Sequence, residues 1–160
     1  MNTWHSQIDV RAEPEQVFET LTDVSACKAW SPVGFDVGDL ETGHLHSGSK
    51  VAVSGAIVGR RVRFCVEIVH ADTERLLLRA AGPVEMLADY VVRPASGGSR
   101  LHAAISVRRG AGRGARVAAH ATSILLGAGA LEQALARIAH EAERRQEVLG
   151  SDPGGGGQAA

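Results

Sequence analysis

The sequence predicts an α+β domain in which seven antiparallel strands are covered on one face by a single long C-terminal helix. Three observations carry that prediction. Val117, Ala121, Ile124, Ala128, Leu131, Leu135, Ile138 and Ala142 recur at alternating spacings of four and three. That rhythm places them on one stripe of a helix running from Gly114 to Leu149. Between Gly34 and Arg109 the chain reads as six strands and short turns, with no second long helical period. Strands joined by short turns must pair antiparallel, because parallel pairing needs long crossovers. A twisted antiparallel sheet needs one face covered, and the terminal helix is the only element large enough to cover it.

The elements follow in order. Trp4, Ser6, Ile8 and Val10 alternate with Thr3, His5, Gln7, Asp9 and Arg11, a strand with one buried face. Pro14 opens a short helix whose inner side is Val17, Phe18 and Leu21; a proline in the first turn loses no useful N–H. Thr22 and Asp23 end it. Ser25 is the expected cap of a second short helix that stops near Trp30, before Ser31-Pro32. Gly34 to Leu40 is a weak strand, and Val58-Gly59-Arg60 is the turn of a hairpin between Lys50–Ile57 and Arg61–Val69. Val62, Phe64, Val66 and Ile68 oppose Arg61, Arg63, Cys65 and Glu67, the cleanest alternation in the chain. Strands from Arg75 to Ala81, from Val84 onward and through Leu101 to Val107 complete the sheet. The turns between them are marked by Gly82-Pro83 and Gly97-Gly98. Residues 1–149 form the domain, and the tail from Gly150 to Ala160, with four successive glycines, is expected to be disordered.

Composition narrows the function. A length of 160 residues suits one domain with a sizeable core. The formal net charge of −1 provides no bulk field for nucleic acid or an anionic membrane. Aromatic residues make up only 4% of the chain, too few for a base-stacking surface, so no nucleic-acid partner is expected. Cys27 and Cys65 stand in no paired-ligand spacing and read as reduced thiols of a cytoplasmic protein. The start MNTWHSQIDV has no basic region followed by an apolar run, so no signal peptide is expected, and no stretch is long and apolar enough to span a membrane.

Few motifs carry chemistry. Tyr90 shares its strand face with Met86 and Val92, so its hydroxyl should point into apolar space and needs a partner there. It is the candidate catalytic group, a hydrogen-bond or proton donor, although a backbone-bonded tyrosine is the plainer reading. Ser6 and Ser54 are further inner polar candidates. The arginines at 61, 63, 93 and 108 fall on the solvent phase of their strands. His44-Leu45-His46 puts two imidazoles on one side of an extended segment, but no third ligand is in view and no metal is expected. Gly110 to Gly114 lacks the dinucleotide spacing and reads as a flexible connection, so no cofactor is expected. Arg108, Arg109, Arg113 and Arg116 around it suit an anionic ligand or an acyl-carrier partner. Ala121, Ala128, Gly127 and Gly129 put small side chains on the helix, where each glycine costs about 0.8–1 kcal/mol relative to alanine. Room for a ligand, close helix–sheet packing or a kink would each offset that cost. Glu141 and Arg145 form an i,i+4 pair of a solvated face.

Three stretches carry a family resemblance: Ala12-Glu13-Pro14-Glu15-Gln16-Val17-Phe18 at the first helix; Asp23 followed by Trp30 and Pro32; and Pro94 followed by Gly97-Gly98-Ser99-Arg100-Leu101. With the order of elements, they make the chain resemble the START-like (SRPBCC) helix-grip superfamily, in its polyketide cyclase/dehydratase group. Ser99 stands where threonine is usual. The resemblance covers about residues 8–145. It implies a helix-grip fold like that of Bet v 1, with a cavity between sheet and helix and the second short helix at its mouth. On that model the pocket is lined by Trp30, Phe35, Phe64, Met86, Tyr90, Ala121, Leu125 and Ala128. The expected function is binding of a small, mostly apolar molecule. One version is a polyketide-cyclase-like enzyme; others are a non-catalytic carrier or sensor, or an interaction domain with a filled cavity. The inner faces are poor in acid–base groups, and the oligomeric state stays open, a homodimer included.

Overall fold

The computed structural model describes residues 2–30, 35–37, 44–57 and 60–150, with the side chains of residues 27–29, 35–37, 56, 57, 60 and 150 outside the description. Seven strands form one antiparallel sheet: β1 (Asn2–Val10), β2 (Phe35–Val37), β3 (Lys50–Ile57), β4 (Arg60–Ala71), β5 (Arg75–Ala81), β6 (Val84–Ala95) and β7 (Gly98–Arg109). The order across the sheet is β1-β7-β6-β5-β4-β3-β2. Six strands are long; β2, with three residues, is an edge fragment. The sequence-predicted meander is thus present, and β1 adds to it beside the last strand, from Asn2↔Val107 to Val10↔Ser99. The expected turn at Val58-Gly59 and the tail from Ser151 lie outside the described residues.

The pleat sorts side chains as the alternation requires. Val84, Ala88, Tyr90 and Val92 of β6 and Leu101, Ala103, Ile105 and Val107 of β7 point to the helical side and are buried. Ser6 lies in the same layer opposite Ala103, but Ser54 pairs with Arg63 and therefore belongs to the outer face, against expectation. Gly98 seals the corner between β7 and the chain leaving β1. Its φ of 153° suits glycine, and a Cβ there would collide with the Val10 carbonyl. Beside it, the buried Ser99 hydroxyl donates to the Ala12 carbonyl at 2.6 Å.

Two short helices follow β1, as expected: α1 (Pro14–Thr22) and α2 (Val24–Trp30). The cap of α2 is Asp23, not Ser25. Asp23 Oδ1 accepts from the Ser25 backbone N–H at 3.0 Å and from its hydroxyl at 2.8 Å. A carboxylate just ahead of the helix satisfies an N–H that has no intrahelical partner.

The largest correction concerns the C-terminal helix, which is two helices: α3 (Ala115–Gly127) and α4 (Ala130–Gly150). The Ala128 N–H reaches back to the Ile124 carbonyl at 2.9 Å, and Gly129 then takes φ 100°, a left-handed exit open to glycine. The break resets the helical phase. In α4 the expected stripe of Leu131, Leu135, Ile138 and Ala142 is buried. In α3 the buried residues are Ala115, Ala118, Thr122 and Leu126, and the Thr122 hydroxyl is satisfied by the Ala118 carbonyl at 2.8 Å. Of the stripe predicted there, Val117 and Ile124 instead face outward, 63% and 58% exposed, and only Ala121 keeps contact with the core.

Candidate ligand-binding surface

The site is the helical side of the sheet, and its centre is β6. Tyr90, 2% exposed, stands between Leu76 of β5 and Ala103 of β7. Trp30, the last residue of α2, meets it edge-on, with ring centroids 5.4 Å apart and planes at 75°. The Trp30 indole N–H donates to the Thr20 carbonyl at 3.2 Å, fixing the ring against α1. Two aromatic residues far apart in sequence are thereby joined into one wall, an arrangement worth about 0.5–1.5 kcal/mol beyond burial alone. Ala88, two residues along the same face, and Ala103, directly opposite, both buried, adjoin Tyr90 with small side chains.

From this wall the surface extends across β5, β4 and β3. Phe64 and Ile68 are buried, while Val53, Val62, Val66, Leu78 and Met86 are only partly buried and pack against the same core. The helices explain the gradient. Among the described residues they approach β1, β5, β6 and β7 most closely, and α3 also reaches β3. Val62 and Val66 on the inner side of β4 are less covered than Phe64 and Ile68 of the same strand.

Of the sequence-predicted pocket residues, Trp30, Phe64, Met86 and Tyr90 share this layer. Ala121 is half-buried against the core. Leu125 and Ala128 are corrections: Leu125, on α3, is 45% exposed, and Ala128, just after the helix, is exposed too, because the break at Gly129 gives α3 a helical phase of its own. Phe35 belongs to β2, and its side chain lies outside the described residues.

Sequence reasoning missed the clamp that holds α2 in place. Arg145 of α4 donates to Asp23 Oδ2 at 2.7 Å and to Glu141 at 3.2 Å. The Asp23 and Arg145 side chains are only 20% and 22% exposed, so the pair is partly buried rather than part of a solvated face. Burial alone would raise the Asp23 carboxyl, but hydrogen bonds from Arg145 and Ser25 outweigh it and hold the group below its ordinary 3.8. Glu141 is also lowered, chiefly by its hydrogen bond from Arg144, with Arg145 adding to it against the opposing effect of burial. An i,i+4 spacing signalled only the Glu141 half of this network. His44 joins the same junction, bridging Asp23 through the backbone and lying 3.7 Å from Glu19. No group of three metal-binding side chains occurs among the described residues.

Chemically this surface can bind and orient. Its described inner-face residues are mostly aliphatic and aromatic, with Ser6 and Ser99 on β1 and β7 as polar members, and no buried side-chain nitrogen or oxygen among the described residues lacks a hydrogen-bond partner. No helix of the described residues is long and apolar enough to cross a membrane.

Comparison with known proteins places this geometry. No curated protein sequence matches the chain. Among solved structures it is similar to protein CV1439 from Chromobacterium violaceum, at 20% identity and TM-score 0.65, over 89% of this chain and 97% of that one. It is also similar to TTHA0849 from Thermus thermophilus, at 15% identity and TM-score 0.66, over 94% and 100%. A third likeness is to Ara h 8.0201, at 12% identity and TM-score 0.56, over 86% and 97%. At these identities the likeness concerns the fold, the helix-grip arrangement expected from the sequence. A family model described as "Polyketide cyclase / dehydrase and lipid transport" matches residues 1–143. The chain therefore belongs to the polyketide cyclase/dehydrase and lipid transport family, a hydrophobic-ligand-binding fold.

Proposed function

We propose that this protein binds a small, mostly apolar molecule against the inner faces of β3 to β6, with the Trp30–Tyr90 pair as one wall. The observation that carries this reading is the burial gradient. Ala88, Tyr90 and Val92 of β6 and Leu101, Ala103, Ile105 and Val107 of β7 are buried, whereas Val53, Val62, Val66, Leu78 and Met86 keep apolar surface partly uncovered. Apolar area left accessible inside a concave sheet gains free energy when a ligand covers it, at about 25 cal/mol per Å². The two alanines beside Tyr90, Ala88 and Ala103, keep the side chains next to the aromatic wall small. The role is that of a carrier or sensor. The described inner faces supply no acid–base pair, so any turnover would rest on holding a flexible substrate away from water, with Tyr90 as its hydrogen-bond donor.

The test is titration with N-phenyl-1-naphthylamine, a neutral apolar fluorophore. Saturable one-to-one binding is expected, weakened about tenfold or more by Ala88→Leu or Ala103→Leu, which fill the space next to Tyr90. Absence of saturable binding in the folded wild type, or binding indifferent to both substitutions, would remove the proposal.

A further inference from the structure

We infer that the outward face of α3 docks on an anionic lipid surface. The proposal rests on the placement of side chains around one helix. The sides of α3 are set opposite one another: Ala115, Ala118, Thr122 and Leu126 face the protein, and Val117, Ile124 and Leu125 face away from it. Exposures of 63%, 58% and 45% for three branched alkyl side chains on one short helix make an outward apolar patch, completed by exposed Ala128. A scattered exposed valine needs no explanation, but a stripe of this kind on a helix whose other side is already buried marks an interaction surface.

Charge selects the occupant. From Arg108 to Gly129 the chain carries Arg108, Arg109, Arg113 and Arg116 and no aspartate or glutamate, although the whole protein has a net charge of −1. Arg108 is paired with Glu85. Arg109, Arg113 and Arg116 make no ion pair among the described residues. Arg116 and His120 border the apolar stripe on one flank by helical spacing. Apolar side chains flanked by cations that make no ion pair among the described residues, on a stretch of chain that carries no acidic residue itself, suit the headgroup region of an anionic bilayer. Alkyl groups reach the acyl boundary and guanidinium groups meet phosphates. A second copy of this chain is a worse fit, because a symmetric contact through the stripe would bring the same arginines together. An acidic carrier protein would satisfy the arginines but gives no reason for alkyl side chains along the full length of the helix.

The experiment is flotation of the full chain with phosphatidylcholine vesicles, with and without phosphatidylglycerol at roughly one part in three. Binding is expected only to the anionic vesicles, and to weaken as salt is raised. Arg113→Ala with Arg116→Ala should reduce it about thirtyfold, and Ile124→Gln, which changes no charge, at least about fivefold. Both variants should keep the wild-type circular dichroism and naphthylamine affinity, so that failure here and failure of interior ligand binding read out separately. No binding to anionic vesicles overturns the proposal. So does loss on removing the arginines with Ile124→Gln unaffected, the result an acidic protein partner predicts. A wild type that sediments as a dimer, becomes monomeric on Ile124→Gln and ignores vesicles assigns the face to a second copy and also overturns it.

Discussion

Helices α3 and α4 are read from one uninterrupted pattern of apolar residues, yet they bury by different rules. In α4 the pattern and the structure agree: Leu131, Leu135, Ile138 and Ala142 are sealed against the core. In α3 the same pattern points to solvent, and a second set, smaller and partly polar, does the packing. The difference lies in the residues between them. Gly129 at φ 100° ends α3, and the chain restarts its helical phase at Ala130. Periodicity therefore identifies a helix and its faces, but which face is buried depends on an unbroken register to some fixed point. For α4 that point is the sheet edge at β1 and the Asp23 clamp. Among the described residues, no side-chain ion pair ties α3 to another element.

This contrast can be broken or sharpened by substitution. The largest effect is expected from Leu135→Ala, which should cost about 2–5 kcal/mol in urea unfolding. Ile124→Ala, one helix earlier and on the predicted stripe, should change stability by less than about 0.5 kcal/mol. Equal losses at the two positions would mean that α3 presents its predicted face to the core after all.

Asp23→Ala removes both the cap of α2 and the anchor of Arg145, and should cost about 1–3 kcal/mol. Its pH dependence has a defined sign. The folded-state carboxyl lies below its ordinary value of 3.8, so the ionised group stabilises the fold at all pH above that value. That contribution is lost as pH falls below 3.8 through the lowered folded value. Acid titration of stability should therefore be shallower in Asp23→Ala than in the wild type below pH 3.8. Parallel curves would show that the carboxylate is not held by Arg145.

Gly129→Ala should cost about 1–2 kcal/mol through backbone strain alone, since an added Cβ meets nothing closer than Glu132 at 3.8 Å. A neutral or stabilising result, with Val117 and Ile124 becoming protected, would show that a continuous helix is within reach. The smallest effect is expected from Tyr90→Phe, about 1 kcal/mol or less in stability. Its value lies in ligand affinity, where a change of fivefold or more would make the hydroxyl a contact rather than part of the wall.

Much of this architecture was readable before any coordinates. The alternation of Val62, Phe64, Val66 and Ile68 against Arg61, Arg63, Cys65 and Glu67 predicts the inner face of β4, because period two admits only two choices and charge decides between them. The inward placement of Tyr90 follows in the same way. What escaped was long-range or conformational. Nothing local distinguishes Ser25 from Asp23 as a cap, since both types serve. Arg145 gave no sign of reaching Asp23, 122 positions away. The glycines at 127 and 129 admitted a kink as readily as a cavity, and only the backbone angle at Gly129 separates the two. Leu125 and Ala128 were misplaced for that reason alone.

The seating of β1 beside β7 has a consequence for how the chain is made. Asn2 finds Val107 as its partner and Val10 finds Ser99, so β1 leaves the ribosome long before its neighbour and must wait for it. Until then the apolar side of β3 to β6 has neither its neighbouring strand β7 nor the helices α3 and α4. Assembly dominated by such distant pairings is slow and leaves greasy surface open to other chains in the interval. This protein should accordingly refold without loss only when dilute, and a growing chain stalled before Ser99 should be a substrate for chaperones rather than a half-built domain.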